Sequence, residues 1–113
     1  MPTVPGLDCH IGSQLTELDP FAEAVEKMLG LLDRLDASGL QIGHLDFGGG
    51  LGIRYSEEKP PTASDYVRAL CQKVGQRKQR ILIEPGRALT GNAGLLLTRV
   101  EYLKHTPHRD FAI

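Results

Sequence analysis

Three short segments of this 113-residue sequence combine residue types that could work on a small charged molecule: HIGSQ at 10–14, GGGLGI at 48–53 and EPGR at 84–87. Consecutive residues without a Cβ let backbone N–H groups approach an anion closely and form a concave donor nest. Gly48, Gly49 and Gly50 therefore read as a phosphate cradle, or more blandly as a tight turn joining a strand to the next element. The run fits neither the Walker pattern, because no Gly-Lys-Ser/Thr follows, nor the dinucleotide fingerprint, whose third glycine is displaced. Ser13 adds a hydroxyl and Arg87 a charged fork, both suited to phosphate oxygens or a carboxylate. Glu84 directly precedes Pro85, so its backbone is biased to an extended conformation and its carboxylate is held by a stiff turn. It can cap, pair with Arg87, or face a heteroaromatic nitrogen, keeping that nitrogen protonated and making the ring an electron sink. A lone His in an apolar strand is more often a satisfied core residue than a ligand. At a strand end, however, the His10 imidazole can stack on a planar ring or act as an acid or base. Metal binding is its weakest role, since no second His or Cys sits at ligand spacing. His44, His105 and His108 are scattered and polar-flanked and read as surface residues.

For these segments to meet, the chain must deliver each to the same edge, and its pattern does so. Short β-like runs at Gly6–Ile11, Leu40–Phe47 and Arg80–Ile83 alternate with helical patterns. The first helix is expected from an N-cap at Asp19 with Pro20 at its first position. It points Phe21, Val25, Met28, Leu32 and Leu35 to a core at spacings of three and four, and ends at Gly39. The second is expected to be capped by Ser64, to bury Tyr66, Val67, Leu70 and Val74, and to stop at Gly75. Between them, Arg54 to Thr62 is a polar loop with Pro60 and Pro61, longer than a typical connection of this kind and so a candidate for function. Gln76 to Arg80 reads as a solvated basic turn. The run Arg80–Ile83 is apolar after its first residue, as for a strand covered on both faces. Beyond a small-residue passage from Ala88 to Gly94, Leu95–Leu103 reads as a longer strand and Phe111–Ile113 as the start of another. Helices between strands imply parallel pairing, in a doubly wound sheet or a barrel of the TIM type. In either, the C-terminal strand ends line one ligand-binding face. A full (β/α)₈ barrel takes about 250 residues, so if the fold is a barrel, residues 1–113 are expected to form only part of it.

Composition narrows the partners. Thirteen Lys and Arg face 14 Asp and Glu, for a net charge of -1, so no global basic field exists to hold nucleic acid through its phosphates. Apolar residues are 41% of the chain, with no run near the roughly 18 needed to span a membrane. The start, MPTVPGLD, lacks the regions of a secretory signal. A soluble, cytoplasmic protein is expected. Cys9 and Cys71 are too few for a disulfide scaffold and are expected to be reduced and structural.

Taken in order, GLDCHIGSQ, LDFGGGLGIRY and ILIEPGRALTGNAGLLLTRVEYLK resemble the alanine-racemase-like, fold type III decarboxylases that depend on pyridoxal 5'-phosphate. Gln14 after Ser13 is more similar to the diaminopimelate branch than to the ornithine branch. The resemblance implies a parallel α/β fold, an incomplete segment of the TIM-type barrel that binds the cofactor. It implies that His10 stacks on the pyridine ring, that Ser13, Gly48, Gly49, Gly50 and Gly86 hold the phosphate, that Glu84 faces the ring nitrogen, and that Arg87 contacts phosphate or the substrate carboxylate. The reaction implied is loss of CO₂ from the D-configured centre of meso-diaminopimelate to give L-lysine, by a homodimer. The lysine that anchors the cofactor would precede Met1, and a Cys-containing substrate motif would follow Ile113, so no catalytic residue is expected in this segment and the 113 residues alone are expected not to turn over. A decarboxylase acting on ornithine or arginine, and a non-catalytic barrel relative that regulates a partner, are the alternatives. Retention of Glu84, Arg87 and Gly48–Gly50 speaks against the latter.

Overall fold

Why the first helix forms is visible in its burial: Phe21, Val25, Met28 and Leu32 all lie on one face and are buried, Val25 and Leu32 completely. In the computed structural model, which describes residues 4–113, this helix, α1, runs Asp19–Ala37. Leu18 rather than Asp19 is the N-cap and makes no side-chain capping bond. Asp19 instead sits within the first turn, where its charge meets the positive end of the helix dipole. At the other end Gly39 adopts φ 86. Leu40 N–H donates to the Leu35 carbonyl and Gly39 N–H to that of Asp36, each at 3.0 Å, the paired bonds of a Schellman stop.

The chain then forms β2 (His44–Asp46), α2 (Ala63–Val74), β3 (Arg80–Leu82) and a short α3 (Gly86–Thr90), after an initial β1 (Gly6–Asp8). The three strands pair in parallel in the order β1-β2-β3, with Leu7, Leu45 and Ile81 side by side. Successive side chains point to opposite faces, and this row packs with α1 and α2 into one core containing Ile42, Phe47, Leu51, Tyr66, Leu70 and Val74. Burying each large apolar side chain there contributes about 1.5–3 kcal/mol. Phe21 of α1 meets Tyr66 of α2 edge-on, ring centroids 4.7 Å apart. The opposite face carries Asp8, His44, Asp46 and Arg80, none of them buried.

Several local expectations need correction. Thr62, not Ser64, caps α2: the two prolines before it leave it extended, and its hydroxyl accepts from the Asp65 N–H at 3.1 Å. Val67 is exposed, because the buried stripe of α2 runs through Tyr66, Leu70 and Val74. Cys71 is exposed and packs in no core, while Cys9 is half-buried. The basic turn is not wholly solvated, since Gln79 is buried and donates to the Ile42 carbonyl at 3.3 Å. Ile81 to Ile83 are only half-buried, because β3 has no strand beside it on its far edge among the described residues. His44 is not a free surface residue: its ring lies over Gly6, where a Cβ would stand 2.1 Å from it.

The largest departure is C-terminal. Leu95–Leu103 is not one strand; only β4 (Leu103–His105) forms, and it pairs antiparallel with β5 (Asp110–Ala112) rather than joining the parallel sheet. Leu95, Leu96 and Leu97 are 102%, 91% and 97% exposed, so a β-like composition here meets no partner to pair or pack with. The radius of gyration of 18.4 Å exceeds the about 13 Å of a compact domain this long, in keeping with this exposed extension.

Candidate functional site

All three parallel strands end on one edge, and each runs directly into one of the three polar segments. The ladder continues past the strands and draws those segments together. Cys9 N–H donates to the Asp46 carbonyl at 3.0 Å, Phe47 N–H to that of Leu82 at 3.1 Å, and Glu84 N–H to that of Gly48 at 2.8 Å. Further out, Leu15 N–H donates to the Gly50 carbonyl and Gly52 N–H to the Leu15 carbonyl, both at 2.9 Å. Gly49 N–H reaches His10 Nδ1 at 3.5 Å, the outer limit of a hydrogen bond. His10, Gly48–Gly50 and Glu84 are therefore one cluster.

The glycine run is required first by this convergence. A Cβ on Gly48 would lie 2.4 Å from the Cys9 carbonyl oxygen, on Gly49 2.3 Å from that of Glu84, and on Gly50 2.5 Å from that of Gly12. Each of those neighbours is backbone of an adjacent segment, so side chains here would force the three strand ends apart. Gly48 and Gly50 also have φ of 64 and 108, which only glycine adopts at little cost. The Gly48 N–H is taken up internally by Asp46 Oδ1 at 2.9 Å. Among the described residues, the Gly50 N–H and the Ser13 hydroxyl have no partner. Gly86, by contrast, faces open space, with nothing within 4 Å of a Cβ.

The charges at this edge are unspent. Among the described residues neither Glu84 nor Arg87 enters an ion pair, so the simple salt bridge between them does not form. His10, Ser13, Glu84 and Gly86 are exposed, and Arg87 is half-buried. The guanidinium is steered by neutral groups: its Nη1 donates to Gln14 Oε1 at 3.1 Å, and its Cζ lies 5.6 Å from the centre of the Tyr55 ring. Gln14 also clasps Ile53, donating to its carbonyl at 2.6 Å and accepting from its N–H at 3.1 Å. Sequence reasoning gave no structural role at this edge to Gln14, Tyr55 or Asp46. Gln14 lay within a singled-out segment and Tyr55 within the long polar loop, but the contacts of Gln14 reach 39 and 73 residues along the chain, and Tyr55 meets Arg87 of a different element. Behind the edge, burial pushes the Cys9 thiol up, with the carboxylates of Asp8 and Asp46 adding to it. Cys9 is thus a protonated packing residue and a poor nucleophile. Burial likewise raises the Tyr66 hydroxyl.

Parallel strands, helical crossovers and a ligand-ready edge at the strand C-termini are the features of a wall segment of a (β/α) barrel. The chain belongs to the family described as pyridoxal-dependent decarboxylase, pyridoxal binding domain, whose model matches residues 3–91. Among individual proteins it is similar to the diaminopimelate decarboxylase of Pseudomonas aeruginosa, 60% identical over 97% of this chain. Among solved structures it is similar to AQ1208 from Aquifex aeolicus, with TM-score 0.79 and 42% identity over 97% of this chain and 28% of that one. It is also similar to diaminopimelate decarboxylase from Helicobacter pylori complexed with L-lysine, with TM-score 0.79 and 31% identity over 96% of this chain and 27% of that one. The chain spans 26% of the length of the Pseudomonas relative. Among the described residues no helix is long and apolar enough to cross a membrane.

Proposed function

We propose that these residues form part of the pyridoxal 5'-phosphate-binding barrel domain of an enzyme that converts meso-diaminopimelate to L-lysine and CO₂. The observation that carries this function is the meeting of an exposed imidazole, an unpaired carboxylate and an unneutralised guanidinium around one glycine-built strand edge. That donor set fits a flat, phosphorylated, nitrogen-containing ring. The His10 imidazole supplies a flat surface for the ring. Glu84, with its carboxylate free of protein cations, accepts a hydrogen bond from the ring nitrogen and keeps the proton there. The Ser13 hydroxyl and the Gly50 N–H, neither with a protein partner among the described residues, donate to the phosphate, while Gly48, Gly49 and Gly86, whose N–H groups are bonded within the protein, let it approach without side chains in the way, and Arg87 binds either that phosphate or the substrate carboxylate. When bound, the cofactor supplies an electron-withdrawing pyridinium ring that takes up the electron pair released as CO₂ leaves. A homodimer of the longer protein, working in the cytoplasm, goes with this function. The similarity to diaminopimelate decarboxylases supports this choice of substrate.

The test is CO₂ release from meso-diaminopimelate, with ornithine and arginine as competitors, by the protein that carries these residues. Release from meso-diaminopimelate is expected to be unaffected by either competitor and to fall about 10²-fold in Glu84→Gln, as when one preorganised electrostatic contact is lost. Release from ornithine or arginine alone would contradict the assigned substrate. Full turnover in Glu84→Gln would contradict the role of Glu84.

A further inference from the structure

Gln14 is the one non-glycine residue with positive φ, 59, among the described residues, a strained conformation for a residue with a side chain. Its amide is fixed in orientation by two bonds to a single residue. Nε2 donates to the Ile53 carbonyl at 2.6 Å while Oε1 accepts from the Ile53 N–H at 3.1 Å. Flipping the amide would set donor against donor and acceptor against acceptor, so Oε1 is the atom presented outward. That same atom accepts from Arg87 Nη1 at 3.1 Å. On another flank the guanidinium lies near the Tyr55 ring. Both neighbours steer the arginine without neutralising it. A glutamate at position 14 would bind the guanidinium more strongly but would cancel the charge an incoming anion needs. Three elements are tied by this one side chain: the segment after β1, the segment after β2, and the first turn of α3.

We propose that Gln14 is a positioning residue that aims Arg87 at the anionic group of the bound small molecule, a phosphate or a carboxylate, while leaving the guanidinium cationic. This deepens the function proposed above and rests on it for the identity of the anion. The experiment is a double-mutant cycle in the protein that carries these residues, with Gln14→Leu, Arg87→Met and the pair. It reads the Kd for pyridoxal 5'-phosphate, the Kd for inorganic phosphate, KM and kcat for meso-diaminopimelate, and the urea midpoint.

Gln14→Leu is expected to weaken anion binding about tenfold, as for loss of a hydrogen bond to a charged group, and to add little once Arg87 is already Met, because contacting residues of one network are non-additive. If the cofactor phosphate is the target, both phosphate-type Kd values rise; if the substrate carboxylate is, KM alone rises and kcat holds. Gln14→Glu keeps the acceptor for Ile53 N–H and for Arg87, yet is expected to weaken the same anion at least as much as the leucine. Additive effects in the cycle would overturn the proposal. So would unchanged anion affinities in Gln14→Leu, or a Glu variant that binds anions like the parent. A parent that binds inorganic phosphate but no pyridoxal 5'-phosphate would instead overturn the function above, and the cycle would still be read on inorganic phosphate.

Discussion

Replacing Gly49 by alanine isolates the convergence of the strand ends, because Gly49 has no positive φ to confuse the result. The new Cβ would stand 2.3 Å from the Glu84 carbonyl oxygen, whereas ordinary contact begins at 3.4 Å. The backbone carrying Glu84 must therefore retreat by the difference, about 1.1 Å, in an interior that does not deform freely. That retreat pulls on the 2.8 Å bond from Glu84 N–H to the Gly48 carbonyl. Overpacking costs about 1–3 kcal/mol, and the strained bond adds up to about 1 kcal/mol. A shift near 1 Å at a binding group lowers function by up to about 10²-fold. Urea denaturation and titration with pyridoxal 5'-phosphate measure the two losses in the protein that carries these residues. The matched control is Gly30→Ala in the interior of α1, where nothing lies within 4 Å of the Cβ and alanine is expected to stabilise by about 0.8–1 kcal/mol. A Gly49→Ala protein as stable as its parent and binding the cofactor equally well would refute the packing argument.

Leu45→Ala empties a fully buried position of the central strand and is expected to cost about 2–5 kcal/mol by denaturant titration. Thr62→Ala removes the cap of α2 and should cost about 0.5–2 kcal/mol in the same assay, whereas Ser64→Ala should cost much less. Acid should loosen the contact between α1 and α2. Hydrogen bonds from Lys73 and Arg77, reinforced by their charge, hold Glu26 and Asp33 below the ordinary carboxyl values of 4.5 and 3.8. Their stabilisation is therefore present above those values and lost as pH falls through the lowered ones. The stability gap between the parent and a Lys73→Met, Arg77→Met variant, present at pH 7, is expected to close as pH falls below the ordinary carboxyl values and through the lowered ones. A gap independent of pH would show that the pairs act through packing alone.

Much of this was legible in the sequence where one local signal sufficed. The spacing of Phe21, Val25, Met28 and Leu32 gave α1, Gly39 and Gly75 gave two helix ends, and alternation of helix and strand gave the parallel sheet. The three segments do meet at one edge, as their places after apolar runs implied. What the sequence hid depends on contacts distant along the chain. The need for glycine at 48–50 is set by the backbones of Cys9, Gly12 and Glu84, which no local pattern reveals. The tie from Gln14 to Arg87 crosses 73 residues. Leu95–Leu103 misled for the opposite reason: its composition favours a strand, but a strand needs a neighbour, and only its end finds one, Leu103 in β4 and Glu101 and Tyr102 through bonds to Ile113.

The decisive measurement is a crystal structure of the protein that carries these residues with pyridoxal 5'-phosphate bound. The cofactor ring is expected against His10, with its nitrogen at Glu84 and its phosphate beside Gly48–Gly50 and Gly86. A cofactor held elsewhere, leaving the Glu84 carboxylate and this strand edge untouched, would contradict the function assigned to them.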